Sequence, residues 1–239
     1  MESTSPSSTP RRNAPLSRSQ VLAAAIDLAD RDGLDAVSMR KLAEGLGVVP
    51  MALYKHVANK DDLIAGMIDT VVASYPSPPP GAAWRDAIRG RMLGAREALG
   101  EHPWLRTAIE GATIRTPVVL AYMNALCGDF VAGGFTYDLT HYAMHALGYR
   151  IWGFSPEAFS SAPPPPPATP KEHQAMVAMM TATYPHIVAI ALDTAARNPA
   201  GGCDEDGEFI FILDLLLDAF QRLRDAGWSS SDPADTQTA

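Results

Sequence analysis

The sequence has little cysteine, few charged residues and no long uninterrupted apolar run. Its 239 residues include two cysteines, Cys127 and Cys203, which lie far apart and form neither a metal-binding spacing nor a disulfide framework. No stretch reaches the ~18 consecutive apolar residues of a membrane span. The first fifteen residues lack the apolar segment of a secretory signal. We therefore expect a reduced, cytoplasmic protein without a membrane partner.

Positive charge is also scarce, but its distribution is uneven. The net charge is −8, which disfavours a nucleic-acid partner because phosphate contacts need Lys and Arg. Residues 1–60 carry eight Lys and Arg against six Asp and Glu, whereas residues 61–239 carry eleven against twenty-one. The acidic excess therefore lies outside the first quarter of the chain. The apolar fraction of 47% is sufficient for a folded core.

Helix signals begin after a polar tail rich in Ser, Thr and Pro. Ser17 and Gln20 fit a capping box, and an apolar stripe at helical spacing follows until Gly33. Ser38 is the predicted N-cap of a second helix. A third helix is predicted from Pro50 to about His56, because proline suits a first helical position. Asn59 is the predicted cap of a fourth helix, Lys60 to about Ser74.

Proline and glycine clusters predict the domain organisation. The run from Pro76 to Gly81 predicts a domain boundary, and five consecutive prolines within 160–170 predict an extended loop. No stretch alternates with period two for long, so the predicted fold class is all-α. Further helices are predicted at about 84–99, 103–112, 117–133, 136–154, 171–197 and 206–226. The expected organisation is a tail (1–15), a helix-turn-helix domain (16–75), a helical C-terminal domain (84–228) and a tail (229–239).

The second and third helices and the turn between them predict a helix-turn-helix. Gly45 and Gly47 flank Leu46, and glycine tolerates the positive φ that a sharp turn demands. The second helix of such a pair can lie in the major groove of DNA. The segments 38–43, 47–57 and 59–63 closely resemble the TetR family of transcriptional regulators. The resemblance covers about Leu16–Ile68, and the stretch Leu53-Tyr54-x-His56-Val57-x-Asn59-Lys60 is its most diagnostic part.

The resemblance implies which residues contact DNA. Ser38 matches a phosphate-binding position at a helix N-terminus, and Arg40 matches a position that often reaches into the major groove. Tyr54, His56 and Lys60 match phosphate contacts. The full predicted DNA-binding set is Ser38, Met39, Arg40, Pro50, Met51, Ala52, Tyr54, Lys55, His56 and Lys60.

The groove-facing start of the third helix departs from the family pattern. Pro50-Met51-Ala52 offers no side-chain hydrogen-bond donor, where many relatives place Gln, Thr or Ser. Base readout then depends on Arg40, on apolar contacts with thymine methyl groups and on the shape of the DNA.

The C-terminal half resembles tetracycline-repressor-like members of the same family. The matching marks are His102-Pro103-Trp104-Leu105, Gly134-Phe135, Tyr184-Pro185-His186 and the run from Phe209 to Leu217. This implies a ligand-binding and dimerisation domain, whose helices at about 136–154 and 206–226 form a four-helix bundle with their symmetry mates. The last helix is apolar nearly all round, so it needs cover on two sides, and a homodimer supplies the second.

Aromatic residues with polar tips predict a pocket for an apolar small molecule. The predicted ligand-binding residues are Trp104, Tyr122, Met123, Phe130, Tyr142, His145, Tyr149 and Trp152. His141 and His145 stand four residues apart, a spacing that can bind a metal from one helical face, but only Asp138 is nearby as a carboxylate. No metal ligand set and no cofactor are predicted.

The resulting prediction is a homodimeric repressor that a small-molecule effector releases from a pseudo-palindromic double-stranded DNA operator. No nucleophile motif or cluster of catalytic groups is present, so no enzymatic activity is predicted. Three alternatives stay open at this point: a metal-sensing regulator using His141 and His145, a dimeric interaction protein that never binds DNA, and a helical enzyme with an incidental helix-turn-helix.

Overall fold

The fold is described from a computed structural model, which describes residues 15–148, 169–197 and 204–231. Within those ranges every regular element is helical and no strand occurs, which confirms the predicted all-α class. None of the helices there combines the length and apolarity needed to cross a membrane. The α-helices are α1 Arg18–Asp32, α2 Met39–Leu46, α3 Pro50–Leu53, α4 Lys60–Ser74, α5 Trp84–Glu101, α6 Trp104–Glu110, α7 Pro117–Ala132, α8 Tyr137–Gly148, α9 Pro170–Thr183, α10 Pro185–Arg197 and α11 Glu205–Asp225.

The N-terminal helices begin where the capping residues predict. The Ser17 side chain accepts a hydrogen bond from the Gln20 amide, and the Gln20 side chain accepts one from the Ser17 amide, so the capping box is present. Ser38 and Asn59 cap α2 and α4 in the same manner. Each cap satisfies an amide that the first turn of a helix leaves without a backbone partner.

A sharp turn joins α2 to α3. Gly47 has φ +66° and ψ 31°, in the left-handed region that L side chains rarely adopt. Leu42 and Leu53, one from each helix, are buried beneath the turn. The third helix ends earlier than predicted, at Leu53, and residues 54–56 form a turn. With α1 packed on α2 and α4, these elements form the predicted helix-turn-helix.

The chain divides into two compact units between Gly133 and Gly134. The first contains α1–α7, and its core includes Leu63 and Met67 of α4, Ile88 of α5 and Phe130 of α7. The segment between α4 and α5, where a domain boundary is predicted, contains no helix. The predicted domain limits stay a prediction.

The second unit contains α8–α11. Phe209, Leu213, Leu217 and Phe220 of α11 are buried and α11 packs on α8, so one face of the predicted apolar stripe is covered. The single helix predicted over 171–197 is wrong, because Tyr184 separates α9 from α10. Pro185 has no amide to donate and disfavours helical geometry at the residue before it.

Several predicted segments lie outside the described residues. These are the predicted helix beyond Gly148, nearly all of the proline-rich loop, and most of both tails.

Candidate nucleic-acid interface

The start of α2 presents a hydroxyl, a helix N-terminus and an arginine. The Ser38 Oγ accepts a hydrogen bond from the Lys41 amide at 3.3 Å and is half-buried, as is Met39. The Arg40 side chain is 78% exposed, and its Nη1 lies 3.4 Å from Oε1 of Glu44, one helical turn later. This exposed ion pair contributes little to stability, so the guanidinium is available to a stronger anion.

The tip of the helix-turn-helix is apolar and exposed. Met51 is 71% exposed and Val49, the N-cap of α3, is 69% exposed. Pro50 is exposed beside them, whereas Ala52 is half-buried. Val49 is absent from the predicted DNA-binding set, although its place beside Pro50 in the turn could have indicated it. Neighbouring exposed apolar side chains of this kind form a candidate contact surface.

The turn after α3 carries the aromatic and basic residues. Tyr54 is 46% exposed and Lys55 is exposed, while His56 is half-buried. The His56 amide donates to the Leu53 carbonyl at 2.8 Å, and Val57 next to it is buried. Leu53 and Val57 therefore anchor a short turn whose intervening side chains face outward.

An ion pair that the sequence did not predict holds this turn in place. Arg18 of α1 donates from Nη1 to the His56 carbonyl at 2.6 Å and from Nη2 to Oδ1 of Asp62 at 2.7 Å. Oδ2 of Asp62 accepts from the Ala58 amide at 2.8 Å. The hydrogen bond from Arg18 lowers the pKa of Asp62, with a further contribution from the Ala58 amide. We call Arg18 and Asp62 the turn clamp. Its members lie 44 residues apart, and no local sequence signal pairs them.

Lys60 completes the predicted DNA-binding set. It is exposed and is the first residue of α4, directly after the Asn59 cap. Asp61 and Asp62 share its turn and suit the positive end of the helix dipole. The described residues thus offer the cations of Arg40, Lys55 and Lys60 around an apolar tip.

Trp104, predicted to bind ligand, is buried and directed to α1. Its Nε1 donates to Oδ1 of Asp30 at 2.6 Å, and Nδ1 of His102 lies 2.8 Å from the same oxygen. Its indole ring is 4% exposed. The only hydrogen-bonding atom of the indole is therefore already engaged within the protein.

Three further predicted ligand residues lie on α7. Phe130 is fully buried, and Met123 is half-buried. The Tyr122 hydroxyl donates to the Arg91 carbonyl at 3.4 Å, and burial raises the pKa of Tyr122 to about 12. The Tyr122 ring packs edge-on against Tyr75, with ring centroids 5.2 Å apart. This places polar aromatic groups at the junction of α4, α5 and α7.

The remaining predicted ligand residues belong to α8 or lie beyond it. Tyr142 is 52% exposed and packs edge-on against Trp228, and His145 is exposed. Tyr149 and Trp152 lie outside the described residues.

His141 and His145 lie close together on α8. Their ring centroids are 4.6 Å apart. Across 15–148, 169–197 and 204–231, no cluster of three or more His, Cys, Asp or Glu side chains could hold a metal ion. Among the residues that the structure describes, the two histidines therefore lack the third protein ligand that zinc sites have.

Two family models together match most of the chain. The model described as bacterial regulatory proteins, tetR family, matches residues 21–67. The model described as tetracyclin repressor-like, C-terminal domain, matches residues 76–223.

The chain is also similar to a curated protein and to solved structures. An HTH-type transcriptional regulator of Saccharopolyspora erythraea is 35% identical over 121 residues, which cover 50% of this chain and 51% of the relative. The chain thus spans only about half the length of the first curated relatives that it matches.

The structural similarity extends over nearly the whole chain. Apo ActR from Streptomyces coelicolor superposes with a TM-score of 0.68 at 23% identity, covering 90% of this chain and 99% of that one. ActR in complex with actinorhodin gives 0.64 at 23% identity, covering 87% and 98%. At this identity the similarity establishes the fold.

Proposed function

The chain belongs to the tetR family of bacterial regulatory proteins, and we therefore propose that it is a homodimeric repressor that a small molecule releases from a DNA operator. Residues 16–75 contact DNA, and residues 84–228 bind the effector and the second subunit. A role as a regulator explains why the sequence carries no catalytic motif. A DNA target also places the protein in the cytoplasm.

The exposed cations around α3 are the observation that carries the DNA-binding proposal. Arg40, Lys55 and Lys60 are exposed, whereas Leu42, Leu53 and Val57 between them are buried in the core of the helix-turn-helix. Phosphate contacts require cations, hydroxyls and helix N-termini, and this surface offers all three with Tyr54 and Ser38.

Base reading depends on few side chains. Arg40 can donate two hydrogen bonds to guanine once its guanidinium leaves Glu44. Val49 and Met51 at the exposed tip suit the methyl groups of thymine. We therefore expect an operator in which a guanine and neighbouring thymines dominate each half-site.

An exposed apolar face on α11 supports the homodimer. Phe211 is 65% exposed and Leu215, one turn later, is 50% exposed, although the opposite face of the same helix is buried. A helix that is apolar on two sides requires cover on both. Two-fold symmetry then matches a pseudo-palindromic operator.

Effector binding is coupled to operator binding through the distance between the two recognition helices, which are the α3 helices of the two subunits. ActR, whose fold this chain shares, is known in complex with actinorhodin. If an effector binds among the α5–α7 helices and shifts α4, both half-sites lose contacts together. Linkage then requires the operator to weaken effector binding by the same factor.

The proposal is tested by selecting bound sites from random double-stranded DNA with the full chain. We expect a palindrome, because a homodimer reads two equal half-sites. Tyr54→Ala and Lys60→Ala should then weaken binding to every sequence about tenfold or more and flatten its salt dependence. Arg40→Ala should in addition relax the preference at one base pair of each half-site, a loss of about 1–3 kcal/mol of discrimination.

Lys171→Ala serves as the matched control, because Lys171 is an exposed lysine on α9 outside the proposed interface. Failure to enrich any sequence would favour an interaction protein without a DNA target. Unchanged affinity in all three variants would disprove the assigned interface. Stoichiometric metal binding lost in His145→Ala would point instead to a metal sensor.

A further inference from the structure

The tyrosine that ends α4 carries a buried hydroxyl without a hydrogen-bond partner. Tyr75 is 8% exposed, and its Oη is buried and makes no hydrogen bond to any described residue. Most buried polar groups in folded proteins are paired, because an unpaired one has lost its hydration without compensation. The Tyr75 hydroxyl therefore requires an explanation beyond packing.

The Tyr75 ring packs against one aromatic ring, and a neutralised ion pair lies beside that second ring. The Tyr75 ring meets that of Tyr122 edge-on at an interplanar angle of 82°. The Arg91 guanidinium lies 5.9 Å from the Tyr122 ring centroid, and its Nε donates to Oδ2 of Asp129 at 2.5 Å. Because Asp129 already neutralises Arg91, the cluster offers no free charge to an anion. We call these four residues the tyrosine cluster.

The tyrosine cluster lies where α4 is fixed to its neighbours. Gly94 of α5 packs so tightly on Pro76 that an added Cβ would lie 2.6 Å from the proline ring carbons. Thr116, the N-cap of α7, donates from its hydroxyl to Asp69 of α4. Tyr75 follows the C-terminal end of the 15-residue helix α4, and Lys60 of the proposed DNA interface is the first residue of that helix. A ligand that displaces Tyr75 therefore acts on the helix that carries Lys60.

We propose that the Tyr75 hydroxyl is the hydrogen-bonding anchor for the effector, an uncharged aromatic molecule that carries a carbonyl or hydroxyl oxygen. This inference rests on the proposed function and names the ligand class and the residue that recognises it. A phenol hydroxyl both donates and accepts, so either type of oxygen satisfies it. The Tyr122 ring beside it can make an edge-to-face contact with the ligand's aromatic body. Tyr75 is absent from the predicted ligand set, because its buried, unpaired hydroxyl is visible only in three dimensions.

The ligand class is tested with 9-fluorenone and fluorene, which share a ring system and differ by one carbonyl oxygen. We expect the intact protein to bind 9-fluorenone about fivefold more tightly than fluorene, as one neutral hydrogen bond implies. Tyr75→Phe should bind both equally. Tyr137→Phe, the same change on an exposed α8 ring, should keep the preference. No binding of 9-fluorenone, no preference in the intact protein, or a preference that survives in Tyr75→Phe would each overturn the inference.

Thermal unfolding without a probe distinguishes an unpaired hydroxyl from one paired with water. We expect the unfolding temperature of Tyr75→Phe to equal or exceed that of the intact protein, whereas Tyr122→Phe, which loses a hydrogen bond, should unfold at a lower temperature. A fall in both variants would mean that Tyr75 is already satisfied, against the inference.

DNA binding separates this inference from the proposed function. Tyr75→Phe should retain the affinity of the intact protein for a selected operator, because Tyr75 lies outside the DNA interface. If the intact protein selects no operator, the proposed function fails, while the probe titrations still decide the role of Tyr75.

Discussion

Single residues determine how firmly the proposed DNA-contacting turn is held. The turn clamp connects the first turn of α1 to the first turn of α4 and to His56 and Ala58 in the segment between α3 and α4. Arg18 is committed to this structural task, with its pKa raised chiefly by the hydrogen bond to Asp62. The clamp holds the segment that lies between Tyr54 and Lys60, two residues of the proposed DNA interface.

The pH dependence of stability tests the turn clamp. The pKa of Asp62 is lowered in the folded protein, so its ionised form stabilises the fold fully above the unfolded pKa of about 3.9 and loses that effect as the pH falls through the folded pKa. We expect Asp62→Asn to lower the free energy of unfolding at pH 7 by about 0.5–1 kcal/mol, after allowance for solvent screening.

Chemical denaturation at pH 7 and near pH 3 measures this difference, which should shrink at the lower pH. Asp61→Asn is the matched control in the same helical turn. An equal loss in the two variants would show that the helix dipole, and not the clamp, accounts for the effect.

At the scale of helices, the sequence predicts the capping residues but not which helices pack together. Ser17, Ser38 and Asn59 signal their helices through a residue type and a spacing of three, which are local properties. The sequence predicts one helix across Tyr184 because apolar residues recur at helical spacing on both sides of Pro185. That spacing favours a continuous helix, whereas the proline favours a break. The clamp and the tyrosine cluster depend on which helices pack together, and periodicity indicates only which face of a helix is buried.

Two glycines in α5 predict opposite effects of the same substitution. A Cβ at Gly94 would lie 2.6 Å from ring carbons of Pro76, whereas one at Gly90 would meet nothing within 4 Å. Gly94→Ala should lower the free energy of unfolding by about 1–3 kcal/mol through overpacking. Gly90→Ala should raise it by about 0.5–1 kcal/mol through helix propensity.

Denaturant unfolding measures the free energy of unfolding of each variant and of the intact protein. Each variant serves as the control for the other. Stabilisation by both substitutions would show that the junction of α4 and α5 accommodates a methyl group freely.

At the scale of the whole molecule, the proposed function depends on two copies of the chain. We expect Phe211→Glu to convert the dimer to a monomer, because it places a charge within the exposed apolar face of α11. Half of the DNA contacts are then lost, so operator affinity should fall by two orders of magnitude or more, which is about 2.7 kcal/mol.

Sedimentation and DNA titration measure the two effects. Gln221→Glu adds the same charge to another side of α11 and should leave the dimer intact. A Phe211→Glu protein that still sediments as a dimer would place the interface elsewhere.

The proposed contact of the exposed Val49 and Met51 side chains with base methyl groups has a consequence for which bases are accepted. The methyl group that marks thymine is carried at the same ring position by 5-methylcytosine, and an apolar side chain has no donor or acceptor with which to tell the two bases apart. If the proposed contact is made, the protein responds to the methylation of cytosine as well as to base sequence. Methylation of the host DNA would then add or remove operators while the protein itself stays unchanged.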